Sequence, residues 1–417
     1  MLKTLLSVWA LLIGIVFIML GNGMHFTLIG IRGDLEGFSA TALSVVASGY
    51  FIGFLSGARL TPHMIRRVGH VRVFAALASF MSAALIAFAL FADPIFWTAL
   101  RILIGFCMSG VYVTAESWLN DASTNENRGQ ILSAYMLAQT SGIIGAQGLL
   151  TLGDAQGAFL FIGASILVSI SFGPILLSVS PTPAAELTRA MPIKDLFRAS
   201  PLGTVGVFFL GIVYAIQAGM GAVYGAQIGL SANEISLFMA MLFAGTLILQ
   251  YPFGWLSDRM DRRKLIFLTS IIAVGCCLFG ALYAQITWAV MVAAFLSGGV
   301  TTPLYALLLA YTNDTLARED MPAASGGIVM LFGIGAISGP MIAGWAMEHF
   351  GAVGFWAVLA MVFAVVSVYA LYRMTQRPVV PTDETDSYVG ISPGASPVAV
   401  EAASTWAADQ SNPNSKD

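Results

Sequence analysis

Lipid hydrocarbon tolerates few charges, yet four residues of this chain set polar or ionisable groups inside long apolar runs: Asn22 and His25 in one, Arg101 and Glu116 in another. A charge carried at membrane depth is costly, so each of the four is a functional candidate. The Arg101 guanidinium offers five donors and stays charged at ordinary pH, which suits it to hold a solute carboxylate or to control a neighbour's proton. Its place near the start of its run leaves an alternative, in which it reaches along its aliphatic stem to the periplasmic surface. Glu116 follows fifteen residues later, about 22 Å along a helix axis at roughly 1.5 Å per residue. The two cannot pair directly. A carboxyl at Glu116 suits the loading and release of a proton as water access alternates; the alternative is an interfacial ion pair or a helix-end contact. His25 titrates near neutrality and, with Asn22, suits hydrogen bonding or proton transfer, against the alternative of an interfacial polar anchor.

The second half offers neutral groups instead, Tyr214, Gln217, Tyr224, Gln250, Tyr305 and Tyr311. Hydroxyls and amides orient an organic solute without charge while Phe and Met supply apolar wall. Tyrosines at span ends also form the ordinary interfacial belt. Tyr214, Gln217 and Tyr305 lie deeper and join Asn22, His25 and Arg101 as the substrate-binding candidates. Cys107, Cys276 and Cys277 all fall in apolar stretches and read as small buried hydrophobes, with no metal set and no cofactor implied. The chain has no Gly-x-x-x-x-Gly-Lys-Ser/Thr loop, no His-Glu-x-x-His and no paired catalytic carboxylates, so neither ATP-driven pumping nor enzyme chemistry is expected.

The elements that position these groups follow from composition. Of 417 residues, 58% are hydrophobic and only 10% are Asp, Glu, Lys or Arg. A soluble domain carries about 25% charged residues, so the chain cannot coat a water-soluble globule. The apolar content matches twelve helices of about 20 residues, and the runs give twelve spans: 4–28, 39–60, 73–92, 95–117, 130–152, 157–178, 202–223, 236–256, 265–284, 287–310, 323–345 and 353–373. The runs do not alternate apolar and polar residues as barrel strands do, and helices satisfy every backbone donor internally. The first run has no small-residue cleavage pattern and reads as a span rather than a secretory signal.

If the N-terminus is cytoplasmic, then Lys3, Arg66, Arg67, Arg72, Arg128, Arg189, Lys194, Arg198, Arg259, Arg262, Arg263, Lys264, Arg318, Arg373, Arg377 and Lys416 all fall on that side, and Arg32 is the exception. The positive-inside rule therefore places both termini in the cytoplasm of a multi-pass inner-membrane protein. The expected organisation is a six-helix bundle at 1–178, a cytoplasmic linker at 179–201, a second bundle at 202–375, and a tail at 376–417. That tail is rich in Pro, Ser, Ala and acid, and is expected to be disordered. The net charge of -3 lies largely in the tail, and no basic stripe offers itself to nucleic acid. The expected partners are a small-molecule substrate, protons and the lipid bilayer, with the chain acting as a monomer.

Sliding the second half over the first by about 192 positions aligns unlike features together. Gly37 to Ser44 falls on Gly229 to Ser236, Tyr112 on Tyr305, Asn120-Asp121 on Asn313-Asp314, and the basic loop 66–72 on the charged loop 258–264. This is the mark of a duplicated six-helix unit with a site between its copies. Ser39 and Ser231 stand where spans two and eight begin and read as helix caps, Ser231 with Glu234 having capping-box spacing.

At these residues the chain resembles the major facilitator superfamily. Gly254-Trp255-Leu256-Ser257-Asp258-Arg259-Met260-Asp261-Arg262-Arg263-Lys264 is similar to that superfamily's Gly-x-x-x-Asp-Arg-x-Gly-Arg-Arg loop, with Asp261 in place of the inner Gly. Asn22-Gly23 and Ala115-Glu116-Ser117-Trp118-Leu119-Asn120 resemble its YcaD-like bacterial branch. The resemblance implies an all-α membrane protein of twelve transmembrane helices in two pseudo-symmetric bundles, with spans one, four, seven and ten lining a central cavity. It also implies a conformational lock at Arg66, Asp258, Arg259 and Arg262. Arg66 stands where relatives carry Asp, so the first-half lock needs another pair, Arg66 with Glu116 being one candidate. Arg101 begins an Arg-x-x-x-Gly similar to the superfamily's fourth-helix motif, linked there to proton-coupled exchange. Span five has Gly142, Gly145 and Gly148 but lacks the proline of the superfamily's exchangers. The function implied is secondary active transport of a small organic solute across the inner membrane by rocker-switch alternating access, with protons as candidate coupling ion. The competing reading is a non-transporting receptor or scaffold that keeps the fold.

Overall fold

The computed structural model describes residues 2–124, 127–177, 190–376 and 385–411. Among them the regular elements are all helical: α1 (Leu2–Leu35), α2 (Ala40–Val68), α3 (His70–Ala87), α4 (Pro94–Asp121), α5 (Arg128–Leu150), α6 (Phe159–Ser171), α7 (Gly173–Leu177), α8 (Ile193–Ala199), α9 (Pro201–Gln227), α10 (Ala232–Ser257), α11 (Arg262–Leu282), α12 (Thr287–Asn313), α13 (Met321–Phe350), α14 (Val353–Met374) and α15 (Pro397–Ser411). Eleven helices among the described residues are long and apolar enough to cross a membrane. The remaining span, α5, has 23 residues but carries Gln130, Ser133, Gln139, Thr140, Ser141 and Gln147; its principal neighbour is α1. The sixth span is interrupted at Phe172, between α6 and α7. Of the basic residues used for orientation, Arg189, Arg377 and Lys416 and the Lys3 side chain lie outside the described residues, as do 179–189 of the linker and both ends of the tail.

Helix ends are set locally, and they repeat. The Ser39 hydroxyl accepts the Ala42 amide at 3.1 Å, and the Ser231 hydroxyl accepts the Glu234 amide at 3.3 Å while Glu234 accepts the Ser231 amide at 2.8 Å. The second arrangement is a complete capping box. Both helices are entered through a glycine with positive φ, +76° at Gly37 and +80° at Gly229, a conformation that residues with a Cβ rarely adopt. The equivalence found by sliding the sequence is therefore present in the backbone.

Within the first half α2 packs on α4 through its glycine face. A Cβ on Gly53 would stand 1.9 Å from the Ile102 carbonyl oxygen, and one on Gly57 2.5 Å from that of Phe106. Without side chains there the two backbones touch, which is how helices associate in lipid. The halves meet along α2 with α13, α1 with α9, and α5 with α10. At the end away from the basic loops the contact is direct. A Cβ on Gly344 would meet Ser44 Cβ at 2.4 Å, and one on Gly30 would meet Ala222 Cβ at 2.6 Å. Arg32, the exception to the orientation pattern, is paired with Glu36 at 2.5 Å and donates to the Ala155 carbonyl at 3.2 Å.

Toward the basic end the expectation for the tail is corrected. Residues 386–396 run between the halves without regular structure, turning at Pro393–Gly394, and α15 follows them, packed on α13, α4 and α5. Composition pointed to disorder, but Val400, Ala395, Ser396 and Ser404 are buried against partners distant in sequence.

Candidate functional site

Between the halves lies a narrow cavity of about 60 Å³. Its wall is aromatic: Phe26 from α1, Tyr50 and Phe54 from α2, Tyr112 from α4, Tyr214 from α9 and Phe332 from α13. Asn22 of α1 and Gln147 of α5 add amides. The rings brace one another, Tyr50 edge-on to Phe26 at 4.7 Å between centroids and Tyr214 tilted on Phe332 at 5.7 Å. Gln147 is held in place because its carbonyl accepts the Thr27 hydroxyl at 2.9 Å. A second space adjoins on the basic side, lined by Gln139, Gln217, Thr246 and Thr302 together with Tyr112 and Tyr214. The mixture of apolar wall with a few amides and hydroxyls is that of a site for a small organic molecule.

The sequence candidates divide by depth. Asn22 and Tyr214 face the main cavity and Gln217 the adjoining one. Tyr305 is fully buried with its ring 5.4 Å from that of Phe332, one layer behind the wall. Arg101 is 1% exposed, which removes the alternative of a guanidinium reaching the surface. Its Cζ lies 4.0 Å from the Phe26 ring centroid and 4.9 Å from that of Tyr50, so two wall rings separate it from the cavity. Both contacts are in cation–π range. Nη1 of Arg101 lies 3.5 Å from Nδ1 of His25, and among the described residues no carboxylate pairs with the guanidinium. His25 is fully buried, edge-on to Phe88 at 4.5 Å. Tyr224 stacks on Phe355 at 4.7 Å and belongs to the core of the second half. Several polar atoms at or just behind the wall have no hydrogen-bond partner among the described residues: Asn22 Oδ1, Gln217 Nε2, Arg101 Nε and the Tyr305 hydroxyl.

The sequence reading missed most of the ring of aromatics. Tyr50 and Phe54 were not singled out, and Tyr112 entered only as the repeat equivalent of Tyr305. The expected lining from spans one, four and seven is present as α1, α4 and α9, but α2, α5, α10 and α13 contribute as well. Span ten, α12, supplies only Gly298 and Thr302 to the adjoining space.

At the basic end the candidate groups are differently partnered than expected. Glu116 is buried and accepts the Tyr135 hydroxyl and the Ser396 amide, both at 2.8 Å. Arg66 is exposed and makes no ion pair among the described residues, so the suggested Arg66–Glu116 pair is not formed. Arg262 is the centre of the second-half cluster. Its Nη1 reaches both carboxylate oxygens of Asp314 at 2.6 Å and its Nε the Ser257 hydroxyl at 3.2 Å, tying the start of α11 to the end of α12. Burial pushes the Asp314 carboxyl up to about 6, with Arg262 opposing that rise. Asp258 accepts the Tyr388 amide at 2.9 Å, and Arg259 lies over the Trp255 ring at 4.4 Å. Among the described residues no group of His, Cys, Asp and Glu is placed to hold a metal ion.

The sequence pattern of the Major Facilitator Superfamily matches residues 11–227 and 203–406, two matches that overlap along α9. The chain is 25% identical over 345 residues to the uncharacterized MFS-type transporter YcaD of Escherichia fergusonii, a match spanning 82% of this chain and 89% of the relative. Against the protein of that name from Escherichia coli O7:K1 it is 27% identical over 346 residues, with the same coverage of each. In fold it is similar to the nucleoside transporter NupG, at a TM-score of 0.72, 14% identity, 88% of this chain and 98% of the other. It is similar likewise to a D-xylose-proton symporter, at 0.67, 14% identity, 89% and 97%. The spanning helices in two equivalent sets, the charged loop at Asp258 to Lys264 and these matches agree: the chain belongs to the major facilitator superfamily of membrane transporters.

Proposed function

We propose that this protein is a secondary transporter that carries a small organic solute through the central cavity by alternating access, sited in the bacterial inner membrane with both termini cytoplasmic. The observation that carries the reading is the aromatic wall of Phe26, Tyr50, Phe54, Tyr112, Tyr214 and Phe332, contributed by both halves and furnished with amide atoms of Asn22 and Gln217 that have no partner within the protein among the described residues. A site assembled from two bodies changes when they rock, so binding and conformation are coupled by construction. Stacking on the rings and hydrogen bonding to the amides favour a solute with a flat or apolar face and a polar edge.

Proton coupling is the second part of the proposal. Glu116 is a buried carboxyl at the basic end, and Arg101 lies beside the buried His25 ring behind the wall. A proton on Glu116 removes a charge from the space between the halves, which lowers the cost of bringing them together there. A thermal-shift screen of metabolites at two pH values identifies the solute, since a ligand raises stability by mass action. Flux of that solute into proteoliposomes must then follow an imposed gradient. Binding across a broad panel with no flux would instead assign the fold to a receptor.

A further inference from the structure

The mouth at the basic end holds a segment of this same chain, and the contacts reach it from both halves. Asp314 Oδ1 accepts the Asp386 amide at 3.1 Å, Arg262 donates to the Asp386 carbonyl, and Asp258 accepts the Tyr388 amide at 2.9 Å. Across the gap, Glu116 accepts the Ser396 amide at 2.8 Å. The helix α15 is held by Asn313, whose Nδ2 donates to the Ser404 hydroxyl at 2.8 Å, and by Arg318, which donates to the Ala408 carbonyl at 2.7 Å. Trp406 lies against Gly129, where a Cβ would come within 2.7 Å of its ring. The segment also reaches the site itself, because Gly394 lines the main cavity and Ser392 and Pro393 line the adjoining one.

Two features distinguish this from a tail resting on a surface. First, the backbone amides are paired with carboxylates in the manner of a bound extended peptide, which is how main-chain recognition gains its strength. Second, the sequence fits the space: Val-Gly-Ile-Ser-Pro-Gly-Ala-Ser-Pro at 389–397 is made of small residues, and the buried face of α15 is Ala399, Val400, Ala403 and Ala407. The partners are the polar groups that the mouth presents, Glu116, Asp258, Arg262 and Asp314. While the segment is seated, the two halves cannot approach at this end.

We propose that residues 385–411 form an internal plug that docks in the groove between the halves, and that the segment must leave before this end of the transporter can close. The consequence for transport rests on the alternating-access reading, but the docking does not, and the test below needs no substrate. Cys107, Cys276 and Cys277 are replaced by Ala, and Ala218→Cys, on the cavity wall, reports access to a membrane-impermeant maleimide in nanodiscs, where both faces meet reagent. Labelling is expected to be slow with the native tail and faster by roughly tenfold or more when Val400→Asp sets a charge in the buried face of α15, or when 385–417 are deleted. Equal labelling rates in folded wild-type-tail, Val400→Asp and deleted proteins would overturn the proposal. Failure of both altered proteins to fold would overturn it as well, because a segment essential to the fold is not a removable plug.

Discussion

Gly53 and Gly245, 192 positions apart, do the same thing in the two halves. A Cβ on Gly53 would stand 1.9 Å from the Ile102 carbonyl oxygen across α4, and one on Gly245 would stand 1.9 Å from the Phe295 carbonyl oxygen across α12. The facing helices return the contact through Gly105, 1.9 Å from the Tyr50 carbonyl oxygen, and Gly298, 2.2 Å from that of Leu242. Each half thus owns a pair of helices locked backbone to backbone, rigid enough to move as one piece.

Substituting either glycine should therefore cost stability directly. Gly53→Ala and Gly245→Ala are each expected to destabilise by about 1–3 kcal/mol through overpacking, and the double substitution by about the sum, since they share no partner. Gly148→Ala, with nothing within 4 Å of the added carbon, should change thermal unfolding by no more than about 0.5 kcal/mol. Equal effects at all three positions would show that the close crossings do not limit stability.

The Arg262–Asp314 pair is buried on both sides, at 2% and 3% side-chain exposure. Arg262→Ala leaves an unpaired carboxylate in the interior and should cost roughly 3–5 kcal/mol at pH 7.5. The double substitution Arg262→Ala with Asp314→Asn should recover much of that loss. No recovery in the double variant would mean that Arg262 acts through its other contacts, Ser257 and the Asp386 carbonyl.

Asp314 also sets a pH dependence. Its carboxyl is raised from 3.8 to about 6 in the folded protein, chiefly by burial, with Arg262 on α11 and the Asp386 backbone amide lowering it and the Asp386 charge raising it to a lesser degree. A folded state that holds its proton more tightly than the unfolded chain draws most stability from this group below pH 4, and loses that contribution as pH rises through 6. Wild-type protein should accordingly lose melting temperature relative to Asp314→Asn between pH 4 and 7. A difference that stays constant across that range would contradict the assignment.

At the cavity, Asn22→Leu and Gln217→Leu are expected to weaken solute binding by about 1–2 kcal/mol each, or roughly five- to thirtyfold in KM. Tyr305→Phe should have a smaller effect, because its ring stands behind Phe332. Unchanged KM in both leucine variants would move the binding site out of this cavity.

Glu116→Gln tests coupling. The Gln oxygen can accept the Ser396 amide while its NH2 group donates to the Tyr135 oxygen, which turns from donor to acceptor, so folding is preserved while the titrating group is lost. Downhill flux should persist, and accumulation against a gradient and its pH dependence should disappear. A variant that still concentrates solute with the native pH profile removes Glu116 from the coupling mechanism.

Local features were the most legible in the sequence. Ser39 and Ser231 announce their helices because a cap acts within three residues, and the apolar runs fix the spans because lipid admits few alternatives to a helix. What depended on distant partners was not legible. Arg101 stands near the start of its run, and nothing nearby says that Phe26 and Tyr50 will cover it. Glu116 was matched to Arg66 on helix-end position, whereas its carboxylate meets Tyr135 of the next span and an amide 280 residues away. The tail failed for the same reason: its composition cannot build a core of its own, but the groove supplies one.

The polar character of α5 has a consequence for biogenesis. A helix carrying three glutamines and several hydroxyls gains little by entering lipid alone, and Gln147 finds its partners, Thr27 and the Gly23 carbonyl, on α1. Its insertion must therefore wait on an already placed first helix, so that the order in which segments leave the ribosome, rather than their oiliness, decides when the fifth one settles.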